Sequence, residues 1–254
     1  MFIQKRPVIY IGHDHREEMS YNILKYSIEK YQTKYDIIPL EQDSLRRTGL
    51  YRRAFTTNKE GQRIDCFDMR PFSTDFTFTR FLIPFLNQHR GIALFMDCDM
   101  FLRADISEVF EEYGSFEEYA VSVVKHDYKP TETTKMDNQK QHIYNRKNWS
   151  SFVLWNCGHL SNLKLTVDDV NTRSGRWLHN FSWLEDNEIG SIHPKWNWLD
   201  GWTDENINPC NVHFTTGGPV FKDWQPKRLI DGNYVGEWNT LYKEYKTRLL
   251  PKED

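Results

Sequence analysis

A five-residue apolar run, IALFM at 92–96, leads directly into a D-x-D motif formed by Asp97 and Asp99. An uninterrupted apolar run of this length is typical of a strand buried on both faces of a sheet. Side chains alternate along an extended backbone, so Asp97 and Asp99 should share one side while Cys98 points away. The two carboxylates therefore follow the carboxyl end of a buried strand, where open α/β sheets bind ligands.

Two carboxylates this close together repel each other unless one takes up a proton or a cation binds both. Their hard oxygen atoms suit Mg²⁺ or Mn²⁺, particularly when diphosphate oxygens complete the coordination shell. A D-x-D motif often arises by chance in a loop, but one placed directly after a buried strand is much rarer. The motif therefore predicts a metal site at the carboxyl edge of the sheet.

The order of apolar patterns along the chain predicts an α/β fold. A strand at 7–12, an amphipathic helix and a strand at 35–40 open the chain, as in a Rossmann-like sheet with right-handed crossovers. Further strands are predicted at 92–96, 120–124, 152–156 and 211–215.

The segments between these strands are less regular. Residues 41–72 are polar and are expected to be irregular, and a helix is predicted to follow the cap cluster at 73–75 and carry Phe78 to Phe85. The C-terminal stretch 232–249 has helical spacing. Since no linker or repeat interrupts the chain, we expect one domain over 1–254, with the C-terminal helix packed on it.

Composition argues against several classes of partner and site. With a net charge of -3, the chain has no global basic field that would draw it to nucleic acid. Its four cysteines form no C-x-x-C pair, which argues against a structural zinc site and a disulfide framework and favours a reducing, cytoplasmic location. No stretch approaches the ~20 apolar residues of a membrane span, so no transmembrane segment is expected.

Aromatic side chains make up 15% of the residues. They are explained by a large aromatic core, or in part by sugar binding, since aromatic rings stack on the apolar faces of pyranoses. Trp196 and Trp198 flank Asn197, and their side chains would either line an acceptor groove or pack in the core. Composition alone leaves both interpretations open.

A second string, HFTTGGPVFKDW at 213–224, combines several groups suited to a metal-bound diphosphate. His213 lies in a strand-like run and is followed by the flexible pair Gly217 and Gly218, whose amides can approach phosphate. Lys222 adds a positive charge nine residues after His213. A histidine on its own is more often a structural residue, but this combination makes metal and diphosphate binding an equal alternative.

Four segments, in this order, resemble glycosyltransferase family 8, the group that includes glycogenin and lipopolysaccharide galactosyltransferases. The matching residues are Gly12-His13-Asp14, the helix Arg80-Phe81-Leu82-Ile83-Pro84, the strand ending in Asp97-Cys98-Asp99, and His213-Phe214 through Gly218, Lys222 and Trp224. The resemblance implies a GT-A fold, a Rossmann-like mixed sheet flanked by helices. The sequence departs from the family pattern at two places. Ser150-Ser151-Phe152 stands where a sugar-contacting Asn-x-Gly is expected, and Asp223 replaces a proline.

The same resemblance implies a function, that of a metal-dependent glycosyltransferase. Such an enzyme moves a sugar from a nucleotide-diphosphate sugar, with UDP as the expected nucleotide, to a hydroxyl acceptor such as a glycan, with retention of configuration. By resemblance, Asp97, Asp99 and His213 ligate Mn²⁺ or Mg²⁺. The implied nucleotide-sugar contacts are Gly12, His13, Asp14, Arg80, Asp97, Cys98, Gly217, Gly218 and Lys222.

By resemblance, Lys222 is a candidate catalytic residue that faces the leaving diphosphate. Glu185 and Asp186, in an acidic stretch, are the other two candidates. These two carboxylates would position the donor sugar or stabilise the developing oxocarbenium charge, or else belong to a solvated acidic loop. Both interpretations of the acidic stretch stay open.

Two other classes of protein must be compared with this hypothesis. Haloacid-dehalogenase phosphatases also place D-x-D after a buried strand, but near the start of the chain and with Thr or Val where this sequence has Phe101. A non-catalytic, glycan-binding homologue would fit the aromatic composition. The joint presence of Asp97, Asp99, His213 and Lys222 favours the enzyme.

Overall fold

The computed structural model describes residues 6–31, 34–114, 118–126, 146, 148–221 and 233–249. The strands are β1 (Val8–His13), β2 (Asp36–Glu41), β3 (Phe55–Thr57), β4 (Arg63–Asp65), β5 (Pro71–Phe72), β6 (Ile92–Met96), β7 (Met100–Leu102), β8 (Val121–Val123), β9 (Phe152–Asn156), β10 (Ile189–Ser191), β11 (Trp198–Leu199) and β12 (Asn211–His213). The α-helices are α1 (Glu18–Tyr31), α2 (Gln42–Arg47), α3 (Phe76–Thr79), α4 (Ile83–Leu86), α5 (Ser107–Tyr113), α6 (Val167–Thr172), α7 (Gly175–His179) and α8 (Asn233–Arg248). Short 3₁₀ turns lie at His15–Glu17, Arg80–Leu82, Trp149–Ser151, Leu160–Lys164, Asp186–Glu188 and Pro194–Trp196.

Six strands form the central sheet, in the order β10-β8-β9-β6-β1-β2. β1 is parallel to β2 and β6, while β9 runs antiparallel to both β6 and β8. The apolar side chains of β1 and β6 are buried, as their uninterrupted apolar sequences predict. Because β9 alone runs in the opposite direction, its first residues meet the carboxyl ends of β1, β6 and β8 at one edge. The predicted mixed α/β sheet is confirmed.

A smaller sheet, in the order β11-β12-β7, adjoins this edge. It packs with α1 and the C-terminal helix α8 in a second apolar cluster, in which Phe101, Trp238 and Leu241 are buried. Helix α8 also contacts α1 through the rings of Tyr26 and Tyr245, whose centroids lie 5.9 Å apart. Helix α8 therefore contributes to this second cluster and contacts α1.

Two local predictions were wrong. The stretch 41–72, expected to be irregular, contains α2 and the three-stranded sheet β3-β4-β5. Two charged residues of this stretch are buried as an ion pair, in which Arg53 Nε donates to Asp65 Oδ1 at 2.6 Å. The single helix expected to carry Phe78 to Phe85 is divided into α3, a 3₁₀ turn and α4, where Pro84 lies in the first turn of α4 and lacks the backbone donor of a continuous helix.

Large aromatic side chains fill much of the core. Trp155 and Trp183 stack with ring centroids 6.3 Å apart, and Phe81 meets both rings edge-on. Trp196 and Trp198 are also buried, so their rings belong to the core rather than to an open groove. Among the residues that the structure describes, no helix combines the length and apolar character needed to cross a membrane.

Candidate active site

Strand register brings Asp97, Asp99 and His213 together. Asp97 follows β6 and Asp99 immediately precedes β7, while His213 is the last residue of β12. Since β7 and β12 are antiparallel and Met100 pairs with His213, the start of one strand lies beside the end of the other. The Phe214 amide donates to the Asp99 carbonyl at 2.9 Å and fixes this arrangement.

The three side chains form a compact group of ligand atoms. Their candidate ligand atoms all lie within 4.8 Å of one another, and His213 Nε2 is 3.1 Å from Asp99 Oδ1. Asp99 Oδ1 is buried and accepts no hydrogen bond from any residue in the described part of the chain. A buried anionic oxygen without a donor is costly, and a bound cation would remove that cost. Two carboxylates and one imidazole are a donor set that suits Mn²⁺, so these residues fit a divalent metal.

Arg80 contributes one fixed positive charge beside this group. Its Nη1 lies 2.8 Å from Asp97 Oδ1 and donates to the Ser150 carbonyl at 2.8 Å, while its Nε donates to the Phe76 carbonyl at 3.1 Å. The guanidinium is buried and lies over the Phe95 ring. It offsets one of the two carboxylate charges and leaves the other for a cation.

Cys98 points away from the two aspartates, as strand alternation predicts. Its buried thiol donates to Glu17 Oε2 at 3.0 Å. Burial and the charge of Asp99 raise the pKa of Glu17 to about 8, although the hydrogen bond from Cys98 acts in the opposite direction. Burial and the charge of Glu17 also raise the pKa of the Cys98 thiol. Sequence reasoning missed Glu17, because a glutamate at the start of a helix is usually exposed.

The predicted nucleotide-binding residues Gly12, His13 and Asp14 lie at the end of β1 and just after it. A side chain at Gly12 would meet the Phe76 ring at 2.4 Å, so close packing requires this glycine. The buried Asp14 carboxylate accepts from Arg16 Nη2 at 2.6 Å and from the Asp75 amide at 3.1 Å. Burial raises the pKa of Asp14, but its hydrogen bonds with Arg16 prevail and lower it. His13 Nε2 lies 2.6 Å from Glu18 Oε2.

A second group of possible metal ligands lies at the same place. Asp14, His15 and Asp75 bring their ligand atoms within 4.8 Å of one another. Here, however, Arg16 pairs with Asp14, and Arg63 Nη1 lies 2.5 Å from Asp75 Oδ1. These guanidinium groups already compensate the carboxylates, so this group fits a cation less well than the first.

His126 lies just after β8, at the same edge of the sheet, and was also missed. Its Nε2 is buried and has no hydrogen-bond partner among the described residues. Burial, followed by the proximity of His213, lowers the pKa of His126 to about 3. The ring is therefore neutral at physiological pH and adds no positive charge to the site.

Gly217 and Gly218 follow β12 within a few residues. Gly217 has a φ of +114°, a conformation that favours glycine, and its amide donates to the Phe214 carbonyl at 3.0 Å, with the buried Gly218 next to it. Lys222 lies outside the described residues.

The acidic stretch is at the surface. Glu185 and Glu188 form a capping box around the 3₁₀ turn Asp186–Glu188. The Asp186 carboxylate is 92% exposed and pairs with Arg146. The structure therefore leaves the solvated-loop interpretation of Glu185 and Asp186 open.

One curated relative decides the family. Protein CDI of Arabidopsis thaliana is 42% identical over 250 residues, which cover 96% of this chain and 90% of the relative. The chain belongs to the Protein CDI family. No protein-family model matches it.

Solved glycosyltransferases show what fold this Protein CDI family member has. GlyE of Streptococcus pneumoniae TIGR4 superposes with a TM-score of 0.57 at 12% identity, covering 98% of this chain and 67% of GlyE. The galactosyltransferase LgtC, solved in complex with donor and acceptor sugar analogues, gives 0.56 at 10% identity over 97% of this chain and 98% of LgtC. The bifunctional glycosyltransferase WbbM gives 0.52 at 15% identity, and the chain spans only 46% of its length. The predicted GT-A fold, similar to that of family 8, is confirmed.

Proposed function

We propose that this protein is a metal-dependent glycosyltransferase, built as one GT-A domain over residues 1–254, that uses a nucleotide-diphosphate sugar. The observation that supports this proposal is the convergence of Asp97, Asp99 and His213 from distant parts of the sequence at the ligand-binding edge of a GT-A sheet. The three residues would hold Mn²⁺ or Mg²⁺. Asp99 Oδ1, buried without a donor, is the atom that most needs the cation.

The charges around the site suit a leaving nucleoside diphosphate. A bound divalent cation supplies Lewis acidity to the diphosphate oxygens. Arg80 adds a buried guanidinium whose position is fixed by two backbone carbonyls, so it needs no reorganisation when negative charge develops. Lys222 is proposed to meet the same oxygens, and the turn at Gly217 and Gly218 would bring its segment toward them.

The proposed donor and acceptor are supported by one of the solved structures with the same fold. LgtC was solved with donor and acceptor sugar analogues, which supports a nucleotide sugar and a glycan or another hydroxyl compound as substrates here. We propose UDP as the nucleotide and retention of configuration, both by resemblance to family 8. In a retaining transfer the acceptor hydroxyl attacks from the face of the leaving group, so a water-activating base is not required. We propose a cytoplasmic location, which agrees with the free thiols of Cys66, Cys98 and Cys210.

The test is a panel of nucleotide sugars incubated with the protein and Mn²⁺, read by the release of nucleoside diphosphate. We expect release from one or more UDP-sugars, loss of release in EDTA, and loss in Asp99→Asn. Asp43→Asn removes an exposed carboxylate on α2 and is the matched control, which should keep full activity. The absence of release from every donor, or equal release in EDTA, would contradict the proposal.

A further inference from the structure

The imidazole of His213 forms a hydrogen bond with the buried side-chain amide of Asn197. His213 Nδ1 lies 2.9 Å from Asn197 Oδ1, and neither side chain is open to solvent. Asn197 directly precedes β11, which pairs in parallel with β12 so that Leu199 lies beside His213. Backbone pairing thus fixes the distance between the amide and the ring.

The orientation of that amide is set by a serine. Ser151 Oγ donates its proton to the Asn148 carbonyl at 2.7 Å, so its oxygen must accept from Asn197 Nδ2 at 2.9 Å. The NH₂ group of Asn197 therefore faces Ser151 and its carbonyl oxygen faces His213. An amide oxygen only accepts, so His213 must donate from Nδ1. The lone pair of a neutral His213 ring then lies on Nε2, the atom that faces Asp99.

The same serine also contacts the other half of the site. The Asp97 amide donates to the Ser151 carbonyl at 2.9 Å, and the adjacent Ser150 carbonyl accepts from Arg80. Ser151 directly precedes β9, at the edge where β6 ends. Ser151 is thus hydrogen-bonded to the backbone of Asp97 directly and to the ring of His213 through Asn197.

We propose that Asn197, oriented by Ser151, is a positioning residue that holds His213 in the Nδ1–H tautomer and so presents Nε2 to the metal. The inference rests on the proposed metal site at Asp97, Asp99 and His213. Hydrogen-bond partners of a ligating histidine set its tautomer, orientation and basicity, and losing one typically lowers metal affinity by about 10- to 100-fold. At Ser150-Ser151, where the family resemblance expects a sugar contact, this chain has a support for its metal ligands.

The first experiment needs no metal. Long-range ¹H–¹⁵N correlation NMR at about pH 9, where imidazoles are generally neutral, reports which ring nitrogen carries the proton. The His213 signals are assigned by their absence from His213→Gln. We expect the Nδ1–H tautomer in the metal-free wild type and a mixture of tautomers in Asn197→Leu. A wild type that is predominantly Nε2–H would overturn the inference.

The second experiment measures Mn²⁺ affinity by calorimetry, with circular dichroism to confirm folding. Asn197→Leu keeps the approximate size of the side chain but removes the acceptor, and should weaken Mn²⁺ binding about 10- to 100-fold. Asn197→Asp keeps an acceptor for Nδ1–H and should stay within about threefold of the wild type. Ser151→Ala should fall between the two. Equal losses in Asn197→Asp and Asn197→Leu would contradict positioning through the acceptor.

Two comparisons separate positioning from a general structural effect. Asn162 is another fully buried asparagine, which donates to the carbonyls of Ala120 and Asn156, so Asn162→Leu should destabilise the fold without changing Mn²⁺ affinity. In a His213→Ala background, Asn197→Leu should cause no further loss. An undiminished loss there would overturn the inference. If the wild type itself binds no Mn²⁺, the proposed function fails, whereas the tautomer measurement still tests the link between Asn197 and His213.

Discussion

Glu17 offers a test of how side chains are packed and charged behind the proposed metal site. Its buried carboxylate accepts a hydrogen bond from the Cys98 thiol at 3.0 Å. It also lies close enough to Asp99 for the charge of Asp99 to raise its pKa. We consider Glu17→Gln, which keeps the shape and an acceptor for Cys98 but can never become charged.

The expected effect follows from linkage between protonation and folding. The pKa of Glu17 rises from 4.5 to about 8 in the folded protein, chiefly because of burial. The unfolded chain therefore ionises near pH 4.5 while the folded protein resists ionisation until about pH 8. The stabilising contribution of protonated Glu17 is complete below pH 4.5 and is lost as the pH rises toward 8. At about 1.4 kcal/mol per pKa unit, the loss amounts to a few kcal/mol.

The assay is urea unfolding of metal-free, reduced protein at several pH values between about 5 and 8. The gain in unfolding free energy of Glu17→Gln over the wild type should grow by a few kcal/mol across this range. Glu111→Gln, an exposed carboxylate on α5, gives the same change in charge and should follow the wild type. A constant difference between wild type and Glu17→Gln from pH 5 to 8 would refute the reasoning.

Three further changes give simpler outcomes. Gly12→Ala should lower the unfolding free energy by about 1–3 kcal/mol in urea titrations because its methyl group collides with the Phe76 ring, and Phe76→Leu in the same chain should restore part of the loss; equal stability of Gly12→Ala and wild type would contradict this packing. Asp65→Asn should cost about 3–5 kcal/mol in the same titration, since it leaves the buried Arg53 guanidinium without its ion pair; a change below about 1 kcal/mol would show that the pair contributes little. Lys222→Ala should slow sugar transfer by about 10²-fold while sparing Mn²⁺ affinity; a near-normal transfer rate would remove this residue from the proposed mechanism.

The parts of the fold that could be predicted from sequence are those in which periodicity and burial agree. The apolar runs at 92–96 and 7–12 become adjacent buried strands, and the D-x-D motif follows the first of them. The sequence pattern in the segment with His213 also suggested metal binding. Strand register then explains why a residue more than a hundred positions from Asp99 lies beside it.

What could not be predicted depends on contacts between distant residues. Arg53 and Asp65 are buried as an ion pair, although the polar sequence around them predicts exposure to solvent. Their contact is apparent only in the folded structure. Gly12 was expected, by resemblance, to contact the nucleotide, but the packing of Phe76 that also requires a glycine there had no signal in the sequence. The buried amide of Asn197 has no local signal, because its partner His213 lies sixteen positions away.

The central claim is that Asp97, Asp99 and His213 bind a metal that in turn binds a nucleoside diphosphate. Calorimetric titration of UDP into the protein, with Mn²⁺ and with EDTA, tests it most directly, repeated on Asp97→Asn, Asp99→Asn and His213→Ala. We expect UDP to bind the wild type when Mn²⁺ is present, to bind much more weakly in EDTA, and to lose its Mn²⁺-dependent gain in each of the three variants. UDP affinity that is the same with Mn²⁺ and with EDTA, or that survives unchanged in all three variants, would contradict the claim.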